Sequence, residues 1–137
     1  MPLEQLPALE EVVLMNMNIR GINSGTKQEA LAKIVEKEKP HVICLNETKL
    51  QFDLFFNNYW SHQSLLARKG GCWTAARQAE NVRHSLVKAV GTYLCWTRLN
   101  TGTESVQILN CYLEGGDCQY AKQRAQRVCE VVRDILR

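Results

Sequence analysis

Apolar residues fall into short runs broken by turn-forming residues, and the run lengths set the predicted elements. Glu11-Val-Val-Leu-Met-Asn-Met-Asn18 is an apolar run that gives way to polar residues and Gly21, which predicts a buried strand delivering side chains to a loop at its C-terminal end. Ile22 to Gly25 reads as a turn. Thr26 with Glu29 three residues on is a capping-box pattern, and Ala30, Leu31, Ile34 and Val35 then mark one apolar helical face that stops before Pro40. His41-Val-Ile-Cys-Leu45 predicts a second buried strand, so residues 11 to 46 form a strand, helix, strand unit. Asn18 and Glu47, each at a strand end, are expected to converge at one edge.

The pattern then changes. From Gln51 to Ser64 the chain is irregular and rich in aromatics (Phe52, Phe55, Phe56, Tyr59, Trp60), a cluster that either packs on the domain or stacks on bases, packing being the commoner fate of large aromatics. Gly70-Gly71 precedes a strand at Cys72-Trp-Thr-Ala-Ala. Leu86 to Val90, Tyr93 to Arg98 and Val106 to Tyr112 follow as closely spaced strands, which predicts an antiparallel meander. The chain closes on a helix that Asp117 caps, with Ala121, Ala125, Val128, Val132 and Ile135 at helical spacing.

Composition adds boundaries. The 137 residues, 45% hydrophobic and 23% charged, fit one globular domain with a core. Apolar runs such as Val12 to Met15 are far short of the roughly 20 residues that span a bilayer. Residues 1 to 11 carry Glu4, Glu10 and Glu11 and lack the basic flank and apolar stretch of a secretory signal, so the expected location is intracellular, nucleus or cytoplasm, and not secreted. The six cysteines are spread evenly without zinc-knuckle spacing and read as small core residues rather than disulfide, metal or redox sites. Net charge is only +3, yet residues 51 to 100 hold Arg68, Lys69, Arg77, Arg83, Lys88 and Arg98 against Asp53 and Glu80. That surplus either attracts a phosphate-bearing partner or is a solvated basic face.

Chemistry concentrates where polar residues follow apolar runs: Asn18, Glu47 and Tyr112. A carboxylate at a strand end can hold Mg2+ together with waters and a substrate phosphate, while an amide and a phenol beside it bond phosphoryl oxygens. The alternative is that Glu47 caps the following turn and Asn18 satisfies loop backbone.

The motifs separate these readings. Asn16-Met-Asn18-Ile-Arg20-Gly21-Ile resembles the first motif of the endonuclease/exonuclease/phosphatase superfamily, in the Asn-x-Arg-Gly form of the apurinic/apyrimidinic-like endonucleases of non-LTR retrotransposons. Leu45-Asn-Glu47-Thr-Lys-Leu50 is similar to the second motif, with Asn46 where Gln is usual. Lys39-Pro-His-Val-Ile, Lys69-Gly70-Gly71 and Leu109-Asn-Cys-Tyr112-Leu follow in the family's order, the last without its usual proline.

The resemblance implies an α+β fold, the N-terminal half of a four-layered α/β/β/α sandwich with mixed, mainly antiparallel sheets and flanking helices. It implies that Glu47 is the carboxylate for Mg2+ (or Mn2+), that Asn18 orients metal or phosphate, and that Tyr112 contacts the scissile phosphate or the nucleophile. Arg20 is a phosphate contact on the same ground. Residues 1–137 then form one partial domain, because the family's Gly-Asp-x-Asn and Ser-Asp-His motifs are absent and none of His41, His62 and His84 stands at the catalytic position. Two functions of different class follow. One is a metal-dependent endonuclease acting on DNA, present as a truncated or split domain that is inactive without a complementing chain. The other is a non-catalytic remnant or interaction module, whose open apolar face favours self-association.

Overall fold

The computed structural model describes residues 11–102 and 104–113, together with the separate positions 123, 126, 129, 130 and 133, which are helical. The expected cap Asp117 and the apolar positions Ala121, Ala125, Val128, Val132 and Ile135 lie outside the described residues. The elements run β1 (Leu14–Asn18), α1 (Gly25–Glu38), β2 (Val42–Asn46), β3 (Tyr59–Gln63), β4 (Cys72–Arg77), β5 (Arg83–Val90), β6 (Leu94–Asn100) and β7 (Ser105–Cys111). They build two sheets, β1-β2-β4-β3 and β5-β6-β7. In the first, β1 and β2 are parallel and joined by α1, and the other pairings are antiparallel. The second is the expected antiparallel meander.

Alternation along the strands explains the layers. Ile43 and Leu45 on β2 and Trp73 and Ala75 on β4 join Leu31 and Val35 of α1 in one core. Val42, Cys44 and Ala76 face the other way and meet Leu99, Val106 and Ile108 of the second sheet. The order is therefore helix, mixed sheet, antiparallel sheet.

Several local expectations need correction. β1 is no buried strand: along Leu14–Asn18 exposed and half-buried residues alternate, because only β2 pairs with it among the described strands. Met15 and Met17 pack on the helix-side core, whereas Leu14 is 58% exposed. The helix is capped by Ser24, not Thr26: Ser24 is extended and its Oγ accepts from Lys27 N at 3.1 Å. With Lys27 at the third helical position, no glutamate can close a capping box there, and Glu29 is two residues too far on. The buried face is Leu31 and Val35 with Gln28 and Ala32 half-buried, while Ala30 and Ile34 point outward. The helix does stop before Pro40, at a left-handed Lys39 whose N–H donates to Val35 O.

The aromatic segment divides. Phe56 packs edge-on against the buried Trp73, Tyr59 OH donates to Pro40 O at 2.6 Å, and Trp60 joins the inter-sheet core. Phe52 and Phe55 are each 73% exposed. Cys44, Cys72 and Cys95 are free and buried, as small core residues are; Cys129 is free but exposed. No described helix is long and apolar enough to cross a membrane.

Candidate functional site

The C-terminal ends of β1 and β2 lie side by side, Asn18 opposite Asn46, about 4.8 Å apart as neighbouring strands are. Their pairing continues past the strands: Ile19 N donates to Asn46 O, Gly21 N to Glu47 O and Ile22 N to Thr48 O, at 2.7–3.0 Å. Glu47 thus stands one residue beyond the partner of Asn18. On its other flank the 47–50 segment pairs with the loop before β4, through Thr48 N to Gly71 O, Lys49 N to Gly70 O and Ala67 N to Leu50 O.

This double pairing demands unusual backbone. Arg20, Glu47 and Lys49 have φ of 51°, 55° and 52°, three of the five left-handed non-glycine residues among those described. Such conformations persist only where surrounding contacts over-determine them. Two devices do so. Lys27 Nζ donates to the carbonyls of Ile19, Arg20 and Gly21 at 3.1–3.2 Å, and Asn23 joins the loops by donating to Lys49 O and accepting from Gln51 N. Gly71 supplies the third wall: at φ 105° a Cβ there would overlap Thr48 Oγ1.

The second sheet reaches the same place through the end of β7. Asn110, 4% exposed, donates from Nδ2 to Leu45 O, Trp73 O and Thr74 Oγ1, and its Oδ1 accepts from Asn46 Nδ2. Asn46 also donates to Cys111 O. Tyr112, two residues past Asn110, stacks on Tyr93 with centroids 6.1 Å apart, and its N–H donates to Tyr93 O. The structure therefore brings Asn18, Glu47 and the backbone leading to Tyr112 to one end of the sandwich. Asn110 was not singled out from the sequence, although it sits inside the Leu109-Asn-Cys-Tyr112 stretch; an amide inside an apolar strand was the available signal.

The electrostatics differ from the sequence expectation. The positive residues of 51–100 do not form one face: Arg77 hydrogen-bonds Lys39 O, at the far end of the sheet from Glu47, and Arg83 and Asn100 pair there as well. Two of them, Arg68 and Lys69, lie instead at the site end, with Arg20 and Lys49 from outside that stretch. The Lys49 backbone lies between the Arg20 loop and the Arg68-Lys69 loop, so three segments carrying four cations meet at the Glu47 loop. Arg20, Arg68 and Lys69 are exposed, and Lys49 Nζ is 3.7 Å from Glu47 Oε1.

Glu47 is half-buried, with a relative side-chain exposure of 22%. Among the described residues no three His, Cys, Asp or Glu side chains gather as a metal cluster. The donors present fit a hard cation held by one carboxylate and an amide and completed by waters and substrate phosphate, the way Mg2+ is usually bound. Cys72, opposite Asn46 on β4, is buried, and burial pushes its thiol up to about 12, which leaves it a poor nucleophile. The histidines are elsewhere. His41 Nδ1 accepts from Val13 N at the start of β2, and His62 and His84 pack together where β3 meets β5.

No protein-family model and no curated protein matches the sequence. Solved structures do match in fold. An AP endonuclease from Leishmania major superposes with a TM-score of 0.65 at 17% identity, over 90% of this chain and 48% of its own. A truncated Caenorhabditis elegans TDP2 gives 0.65 at 23% identity, over 91% and 56%. The endonuclease domain of TRAS1, a telomere-specific non-LTR retrotransposon, gives 0.63 at 12%, over 85% and 53%. The chain spans about half the length of these proteins and has the fold of that half.

Proposed function

We propose, from the endonuclease/exonuclease/phosphatase fold this chain shares with those proteins, that it forms the metal-binding part of a phosphodiesterase acting on nucleic acid. The convergence of Asn18 and Glu47 at paired strand ends, inside a rim of Arg20, Lys49, Arg68 and Lys69, carries the reading. Glu47 holds Mg2+ or Mn2+, and Asn18 orients the bound phosphate. Arg20 and Lys49 neutralise the phosphodiester, and Tyr112 contacts the scissile phosphate or the attacking water. The ion supplies charge neutralisation and orientation of that water when bound. The AP endonuclease and the retrotransposon endonuclease domain named above are endonucleases by description, which makes DNA the first substrate to test.

Residues 1–137 contain no Gly-Asp-x-Asn or Ser-Asp-His motif, so turnover needs a base and an acid from another polypeptide segment. One observation favours the non-catalytic alternative: the Glu47 carboxylate already has Lys49 as a counter-ion.

Titration of Mn2+ in the presence of an abasic-site duplex separates the two. Wild type is expected to take up the ion and Glu47→Gln to bind it at least tenfold more weakly, since a charged ligand becomes neutral. A wild-type chain that takes up no Mn2+ with duplex present rejects the phosphodiesterase reading. Nicking in the same samples reports whether this chain suffices for cleavage.

A further inference from the structure

Phe52 stands beyond the site, and nothing in the metal and phosphate chemistry uses it. Its ring is 73% exposed, on a bend that continues directly from the Glu47-Thr48-Lys49 loop. Exposure alone says little, since single exposed apolar residues are common. The position says more. The segment that carries Phe52 is fastened on both sides of the site, by Gln51 N to Asn23 Oδ1 and by Ala67 N to Leu50 O, so the ring is presented from a fixed backbone. Phe52 is five positions along the chain from Glu47, a reach of at most about 18 Å. At 3.4 Å per nucleotide of duplex, that is on the order of five base steps from the metal position. The neighbouring carboxylate is engaged: Asp53 Oδ1 accepts from Gln63 Nε2 at 3.0 Å.

An exposed aromatic two residues past Leu50, which pairs with Ala67 beside Arg68 and Lys69, follows a loop rich in cations, and the combination is complementary to a polyanion that carries flat apolar rings. A protein partner would fit the ring and the arginines but not Lys49 and Lys69, since lysine is depleted at protein interfaces. Nucleic acid fits both, the phosphates along Arg20, Lys49, Arg68 and Lys69 and a base on the ring. Bases inside a duplex are stacked on one another and have no free face, so the ring selects for an unpaired one.

We propose that Phe52 is a base-stacking residue at the rim of the site, and that the nucleic acid bound there carries an unpaired or extruded base next to the phosphates held by the cationic band. This rests on the nucleic-acid reading above and names the form of its substrate.

The test is fluorescence anisotropy in EDTA, so that neither metal nor cleavage enters, with a single-stranded DNA oligonucleotide and its blunt duplex. Wild type is expected to prefer the single strand. Phe52→Ala is expected to weaken single-strand binding about tenfold or more and duplex binding little, while Phe52→Trp restores it. Phe55→Ala, equally exposed but lining the groove beside α1, is the control and leaves binding unchanged. Arg20→Ala and Lys49→Ala are expected to weaken both forms and lower the salt dependence.

Wild-type binding that Phe52→Ala leaves intact, or a wild-type preference for duplex, overturns the stacking role alone. A wild type that binds neither form rejects the nucleic-acid reading and the stacking role with it. If sedimentation shows instead that Phe52→Ala abolishes self-association without altering DNA binding, the ring is a protein contact and the proposal fails.

Discussion

Asn110 at the end of β7 and Asn46 at the end of β2 are joined side chain to side chain at 2.5 Å, and through them the two sheets are fixed to each other beside Glu47. Asn110 uses both ends of its amide in this buried position, and Asn46 adds a bond to Cys111 O. The spacing between the carboxylate on one sheet and Tyr112 on the other is therefore set by hydrogen bonds rather than by packing alone, and directional bonds specify one register where apolar contacts allow sliding.

Asn110→Ala is expected to remove the bond from Asn46 Nδ2 and those to Leu45 O, Trp73 O and Thr74 Oγ1 from a buried site, at a cost of about 2–3 kcal/mol. Thermal unfolding followed by circular dichroism would show this as a fall in Tm of roughly 5–10 °C. A variant as stable as wild type would mean that the amide does not clamp the sheets.

Gly71 and Gly102 both have positive φ, 105° and 88°, but differ in surroundings. A Cβ on Gly102 meets nothing within 4 Å, whereas one on Gly71 runs into Thr48 Oγ1 and approaches Lys49 N to 3.2 Å. Gly102→Ala should cost about 1 kcal/mol, from backbone conformation alone. Gly71→Ala should exceed about 2 kcal/mol, because it adds a clash with a fixed loop. Urea denaturation of the pair checks the ordering, and equal losses would refute it.

His84 should make stability depend on pH. Burial first, and then the adjacent His62, lowers its pKa from 6.5 to about 4. The folded state thus keeps the ring neutral where the unfolded chain takes up a proton. The stabilisation is complete above pH 6.5 and is lost as pH falls towards 4, by about 2 kcal/mol between pH 7 and pH 5. His84→Asn, which keeps a donor for Trp60 O, should remove this part of the slope in urea titrations. A slope that survives the substitution would assign it to other groups.

Thiol reactivity should divide by position. Burial pushes Cys44 up to about 11 and Cys72 and Cys95 up to about 12, so almost no thiolate forms on them at pH 8. Iodoacetamide followed by peptide mass spectrometry should label Cys129 readily and spare these three until the protein is unfolded. Rapid native labelling of Cys72 would contradict its buried place beside Asn46.

Local pattern determined the strand, helix, strand unit, the strand after Gly70-Gly71 and the antiparallel meander, because run lengths and turn residues are properties of adjacent positions. It also placed Asn18 and Glu47 at strand ends and marked Tyr112 as following a strand. What the pattern missed depends on residues far apart in sequence. β1 looked buried because it is apolar, but its exposure follows from having one described neighbour in the sheet. Thr26 matched a cap, but Ser24 took the role once Lys27 was drawn to the carbonyls of residues 19–21. The basic surplus of residues 51–100 suggested one face; strand direction sent Arg77 and Arg83 to the far end and put Arg20, Lys49, Arg68 and Lys69 together. Asn110 was one polar residue among apolar ones until β7 came to lie over β2 and β4. Tertiary structure decided these points because burial, partners and local charge depend on which segments meet in space, and the order of residues along the chain states that only for near neighbours.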